Sequence, residues 1–148
     1  PQHRRQRQMC IRDRYGSTPK ALPEIGWSQI FLKKSNKDFK EFFEEPFHVL
    51  HWHGDRISLP NKAVLIASSK RCKEQFFRIG KFAYGLQFHI ETTDLIIDKW
   101  IKDDKEFIIK GLGSNGQEIL REENRKYSDK TFLKRKLLIS KLFKLLEN

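Results

Sequence analysis

Cysteine is nearly absent: Cys10 and Cys72 are the only two among 148 residues. Two cannot build a disulfide scaffold, and without a C-x-x-C pair they give no zinc signature. A reduced, cytoplasmic setting is the default for such a chain. Long apolar runs are also missing. None approaches the roughly 18–20 residues a membrane-spanning helix needs, so no membrane partner is expected. The basic N-terminal stretch lacks an apolar core and does not read as a secretory signal. No internal repeat is visible.

Acid is in deficit, and the net charge is +11. A basic balance invites a nucleic-acid reading, but the charge sits at the ends. Residues 1–14 carry five Arg against one Asp, and residues 121–148 carry nine Lys/Arg against four acids. The stretch between them carries 16 bases and 14 acids, so the body of the chain is close to neutral. A nucleic-acid-binding protein is therefore the weakest of the readings. The Lys-rich C-terminal helix reads instead as a docked helix with its lysines outward.

What is present is a folding composition, with 38% hydrophobic residues and twelve Phe. Residues 1–14, PQHRRQRQMCIRDR, have neither apolar periodicity nor caps and fall outside the expected domain, which runs over 15–148. The piece MCIRDR resembles translated sequencing-adapter read-through. Strands are predicted over 24–32, 47–52, 63–68, 75–80 and 82–88, the last two joined at Gly80-Lys81. A short helix is predicted within 35–45. Further helices are expected over 93–104, capped by Thr93 or Asp94 with Leu95, Ile96, Trp100 and Ile101 on one face, and over 113–127. A last one spans 128–148, capped by Ser128 with an apolar stripe of Phe132, Ile139, Leu142, Phe143 and Leu146. The pattern is α/β or α+β, and it looks incomplete, since a parallel sheet needs alternating helices.

GLQFHIET, residues 85–92, places an imidazole and a carboxylate two positions apart at the end of a strand. In extended backbone, residues i and i+2 share a side, so His89 and Glu91 project together while Ile90 points toward the core. A His oriented by a carboxylate is the base half of a nucleophilic triad. An ion pair at a strand end satisfies the same spacing.

The segments EIGWSQI, HVLHWHGDRISLP and AVLIASSKRCKEQFFRIGKFAYGLQFHIET occur in this order. The fixed points are Trp52-His53-Gly54-Asp55, Leu59-Pro60, Ala63, Ala67, Ser69, Cys72, Gln75, Phe77, Gly80, Tyr84 through His89, and Glu91. Together they resemble the C-terminal half of class I glutamine amidotransferase domains. The nearest match is to stand-alone proteins related to the amidotransferase domain of GMP synthetase. The resemblance runs from Glu24 to Trp100 and more loosely through the last helix. It implies a flavodoxin-like three-layer α/β fold whose N-terminal half is missing. It also implies glutamine as substrate, an ammonia-accepting synthetase domain or subunit as partner, and no cofactor. By resemblance, His89 and Glu91 are the last two members of a Cys-His-Glu triad, with His53, Asp55 and Gln87 at the substrate pocket. Ile90 stands where many relatives have proline.

The nucleophile is the serious departure. The family's cysteine sits in a G-x-C-x-G turn that lifts the sulfur and supplies oxyanion donors, and no such motif occurs here. QMCIRDR around Cys10 has no glycines, and Cys72 reads as a small packed residue. The chain is thus expected to be a fragment lacking the nucleophile, with a non-catalytic binding or regulatory module as the alternative. His51, His53 and Asp55 are residue types that ligate metals, but structural zinc takes four ligands and neither cysteine is suitably spaced. They read as solvated loop residues, and no metal is expected. The aromatics of 76–88 read as core rather than as base-stacking platforms.

Overall fold

The computed structural model describes residues 23–147. Five strands form one sheet: β1 (Glu24–Leu32), β2 (Phe47–His53), β3 (Ala63–Ser68), β4 (Phe76–Ile79) and β5 (Ala83–Leu86), in the order β2-β1-β3-β4-β5. Every pairing among the described strands is antiparallel. The strands predicted from the sequence all appear. The 35–45 segment forms only a 3-10 turn over Lys40–Phe42, which drops Phe39 and Phe42 into the core.

β1 is the hinge of the sheet. Its first seven residues pair with β2 and its last two with β3. Period-two alternation then gives it two apolar faces. Ile25 and Trp27 join Leu50 and the helices in one core, while Ile30 joins Phe47, Val49, Ile66, Phe76 and Phe88 in the other. β4 and β5 form a hairpin in which Ile79 faces Ala83, and Gly80 takes the positive φ of 65° at its turn. Gly85 lies directly opposite Phe77, and a Cβ there would stand 2.3 Å from Phe77 Cζ. The ring of Phe77 therefore occupies the space a side chain would need.

Three helices follow: α1 (Asp94–Asp103), α2 (Lys105–Leu112) and α3 (Gly116–Glu147). Thr93 is the N-cap of α1, its Oγ1 accepting from Ile96 N at 3.4 Å. Leu95, expected inward, is exposed, and Ile97 and Ile101 are the buried positions. Residues predicted as two helices over 113–127 and 128–148 form one. Ser128 is not a cap; it lies mid-helix and its Oγ donates to Asp94 Oδ1 at 2.7 Å. The expected stripe is also offset. Phe132, Phe143 and Leu146 are exposed, and the helix buries Ser128, Thr131, Arg135 and Leu138, with Leu142 and Leu145 packed beside them. Those six recur at alternating steps of three and four, the spacing of a helix seam. No helix among the described residues is long and apolar enough to cross a membrane.

Candidate functional site

Beyond Leu86 the chain leaves the hairpin. Gln87 N donates to Gln75 O and His89 N donates to Leu50 O, both at 2.8 Å. His89 is thus not the end of β5, as the sequence suggested, but a single antiparallel bridge to β2. β2 and β5 are the outer strands of the sheet. The bridge joins β2 to the chain just beyond β5, so the sheet curls on itself and His89 sits at its closure.

There His89 Nδ1 meets Glu91 Oε1 at 2.7 Å, while Glu91 Oε2 accepts from Ile90 N at 2.9 Å. The same-side projection expected from the sequence is present, and Ile90 packs toward the core. The His89 hydrogen bond, chiefly, holds the Glu91 carboxyl at about 2, against partial loss of hydration. Trp100, from α1, places its ring edge-on to His89 with centroids 4.9 Å apart. Trp100 leans in turn on Trp52, whose Nε1 donates to Asp104 Oδ2 at 2.8 Å. The imidazole is therefore fixed by a carboxylate at one nitrogen and by an aromatic wall. With Nδ1 facing the carboxylate, Nε2 is the ring nitrogen left for proton transfer.

The backbone carrying this pair is stapled from behind by Arg135 of α3, which is 1% exposed. Its guanidinium donates to Thr92 O at 2.8 Å, Ser128 O at 3.1 Å and Ile90 O at 3.4 Å, and its Nε to Thr131 Oγ1 at 3.2 Å. Burial pulls its pKa down, opposed by Asp94 and Glu91. Sequence reasoning missed this residue, because an Arg inside a Lys-rich helix carries no mark that distinguishes it from its solvated neighbours.

His53, Asp55 and Gln87 converge, but through a backbone atom. The Asp55 carbonyl oxygen lies 3.3 Å from His53 Nδ1 and accepts from Gln87 Nε2 at 3.4 Å. Asp55 itself is exposed. His51 is not a solvated loop residue, since its side chain is 0% exposed on β2. Burial pushes its imidazole down to about 4, against the opposing pulls of Glu24 and the Ser28 backbone. Glu24, which sequence reasoning gave no role, stands beside both histidines: Oε1 is 3.8 Å from His51 Nδ1 and Oε2 is 3.4 Å from His53 Nε2. Gln75 Nε2 donates to Glu24 Oε2 at 2.7 Å. The signal in the sequence was a carboxylate opening an apolar strand, at the parity that faces H-x-H across the ladder.

Cys72 is buried, and loss of hydration pushes its thiol up, so it is a poor nucleophile. Cys10 and the basic segment 1–14 lie outside the described residues.

No family model matches the chain. Over 71 residues, 48% of the chain, it is 32% identical to YfeJ, a glutamine amidotransferase-like protein of Salmonella typhimurium, and spans 30% of that protein. Over 71 residues, 47% of the chain, it is 35% identical to the glutamine-hydrolyzing GMP synthase of Borrelia garinii subsp. bavariensis, of which it spans 13%. Its fold is similar to that of a glutamine amidotransferase from Thermotoga maritima, with a TM-score of 0.65 and 31% identity, covering 87% of this chain and 53% of that one. A glutamine amidotransferase from Methylobacillus flagellatus shares the fold at a TM-score of 0.64 and 18% identity, covering 84% and 52% of the two chains. The chain thus spans less than a third of the curated relatives it matches and about half of these solved ones. It is related to the class I glutamine amidotransferases, and its curled antiparallel sheet and helices make up part of their α/β fold.

Proposed function

We propose that His89 and Glu91 are the base and its orienter in a Cys-His-Glu triad that hydrolyses the side-chain amide of glutamine. The observation that carries this reading is the 2.7 Å contact between His89 Nδ1 and Glu91 Oε1 at the sheet closure. A carboxylate there fixes the tautomer and stabilises the imidazolium that forms when Nε2 holds a proton. The kinship with glutamine amidotransferases supplies the reaction class. A cysteine thiolate attacks the amide carbon. The C–N bond breaks as His89 delivers a proton to the departing ammonia, leaving a thioester. His89 then takes a proton from water, whose oxygen attacks the thioester and releases glutamate and the thiol. A carboxyl held at about 2 stays ionised throughout the working pH range and so keeps its hold on the ring.

The nucleophile is assigned to sequence outside the described residues, because Cys72 is buried with a raised pKa. The GMP synthase relative supports a synthetase domain or subunit as the ammonia acceptor. His53, Asp55 and Gln87, held around one carbonyl, shape the rim of the glutamine pocket. The purified 148-residue chain, given glutamine, should release ammonia at the buffer rate. With the upstream sequence of its own gene restored, it should turn glutamine over. Turnover by the 148-residue chain that disappears on Cys10→Ser would overturn the assignment of the nucleophile.

A further inference from the structure

The β1–β2 register sets Glu24 directly opposite His53, with His51 two residues along on the same face. One ligand atom from each of the three lies within 4.8 Å of the others. We propose that Glu24, His51 and His53 form a divalent-cation site of the zinc type, a clamp between β1 and β2 distinct from the His89–Glu91 pair.

Spacing is the first argument. Four ligands about 2.0–2.1 Å from a tetrahedral zinc stand roughly 3.4 Å from one another. The Glu24 oxygens already lie 3.4 Å from His53 Nε2 and 3.8 Å from His51 Nδ1. Those contacts use the two different oxygens, and with one ligand atom from each residue the spread is up to 4.8 Å, so the side chains must draw in by about an ångström to close on an ion. Satisfaction is the second. His51 is 0% exposed, and apart from the pull of the Ser28 backbone neither ring nitrogen meets a partner in good hydrogen-bond geometry among the described residues. Buried polar groups in folded proteins are nearly always partnered, so this imidazole calls for an occupant beside it. A cation would take its lone pair, which no protein donor meets.

The outer shell is the third. A carbonyl only accepts, so the Asp55 oxygen 3.3 Å from His53 Nδ1 selects the Nδ1–H tautomer. The Nε2 lone pair is then aimed at the Glu24 carboxylate. Such a pair needs a positive centre between its members, either a proton on Nε2, as in a His53–Glu24 ion pair, or a cation in that proton's place. The Gln75 amide supplies part of that: its Nε2 is 2.7 Å from Glu24 Oε2 and 3.3 Å from His53 Nε2. Backbone-oriented His and amide-bonded carboxylate are the supports that metal ligands characteristically have. Glu24 and His53 also line a cleft with Arg56 and Cys72, which gives an ion a way in. Two imidazoles and one carboxylate suit zinc over magnesium, which prefers oxygen ligands.

The test is calorimetric titration of the EDTA-stripped chain with zinc sulfate, alongside thermal melts. The expected result is one zinc per chain, a melting temperature that climbs with free zinc, and no response to magnesium chloride. Loss of His53 or Glu24 should weaken zinc by at least about 100-fold, the upper end of what loss of a mere outer-shell partner costs. His89→Ala should bind as the unaltered chain does. If Glu24→Gln does not fold, His53→Ala and His53→Gln decide, since the His53 side chain is 12% exposed and sits at a strand end. Zinc binding no tighter than millimolar, or a single site that survives His53→Ala, would overturn the assignment.

Discussion

Replacing Arg135 by Met should both destabilise the fold and loosen the candidate catalytic segment. Met keeps much of the aliphatic stem, so packing changes little. What disappears is the guanidinium that serves the Thr92 and Ile90 carbonyls. Ser128 O lies within α3 and retains the helix ladder, whereas the 90–92 carbonyls lie outside any strand or helix. Leaving a buried carbonyl unpaired costs about 1–3 kcal/mol. Thr92 is buried and Ile90 half-buried, so the two give at most roughly 2–6 kcal/mol, and removing a buried charge returns part of that, leaving about 2–4 kcal/mol. At about 3 °C per kcal/mol for a chain of this size, the melting temperature should fall by roughly 6–12 °C. Arg135→Lys, which keeps the charge but offers a single donor centre, should fall in between. Hydrogen exchange should show lost protection at His89, whose N–H bonds Leu50 O, before protection is lost in β1. A drop of less than about 2 °C for Arg135→Met, on a scale where about 3 °C is 1 kcal/mol, would refute the staple. So would unchanged exchange at His89 in a destabilised protein.

Gly85→Ala should cost at least as much as a typical overpacking change, about 1–3 kcal/mol, because its Cβ would stand 2.3 Å from the Phe77 ring. Gly85→Ala combined with Phe77→Leu should recover part of the loss in a urea melt, and failure to recover any would show that the ring is not the obstacle. The pH dependence of stability should carry a Glu91 signature. Its folded pKa is lowered from 4.5 to about 2, so its contribution is complete above 4.5 and disappears as pH falls toward 2. Glu91→Gln should flatten the acid limb of the stability curve in that window, and an unchanged limb would argue that the pair seen with His89 does not persist in solution.

The sheet was legible to within one or two residues because each strand was a short apolar or alternating run ended by polar, Gly or Pro residues. β3 is the clearest case: AVLIAS spans the strand from end to end. The helices were read less well, for a reason visible in α3. Its exposed face carries Phe132, Leu133, Leu137, Phe143 and Leu146, while its buried face carries Ser128, Thr131 and Arg135. A reading that equates apolar with buried picks the wrong stripe when the inward residues are there to serve backbone carbonyls. The site divides similarly. His89 and Glu91 were found because their spacing is local. Glu24 and Arg135 were given no role, and Gln75 was noted only as a fixed point of the resemblance, because their contacts come through long-range pairing and a helix crossing, with sequence separations such as the 43 residues between Arg135 and Thr92. The strand reading of His89 failed because its backbone partner is Leu50 at the far edge of a curled sheet, which no local pattern encodes.

Turnover per folded molecule in the chain with its upstream sequence restored tests the triad most directly. Ammonia release from glutamine would be followed in parallel with a thermal melt, for the unaltered protein, His89→Ala and Glu91→Gln. Loss of a general acid–base typically costs about 10²–10⁴-fold, so His89→Ala should lower kcat by that much. Glu91→Gln should lower it less, since a neutral isostere keeps part of the hydrogen bond to Nδ1. Both losses should appear in kcat rather than in glutamine binding. A His89→Ala protein that is less stable but turns over normally per folded molecule would mean that the 2.7 Å pair is only an ion pair at the sheet closure, and the triad assignment would be wrong.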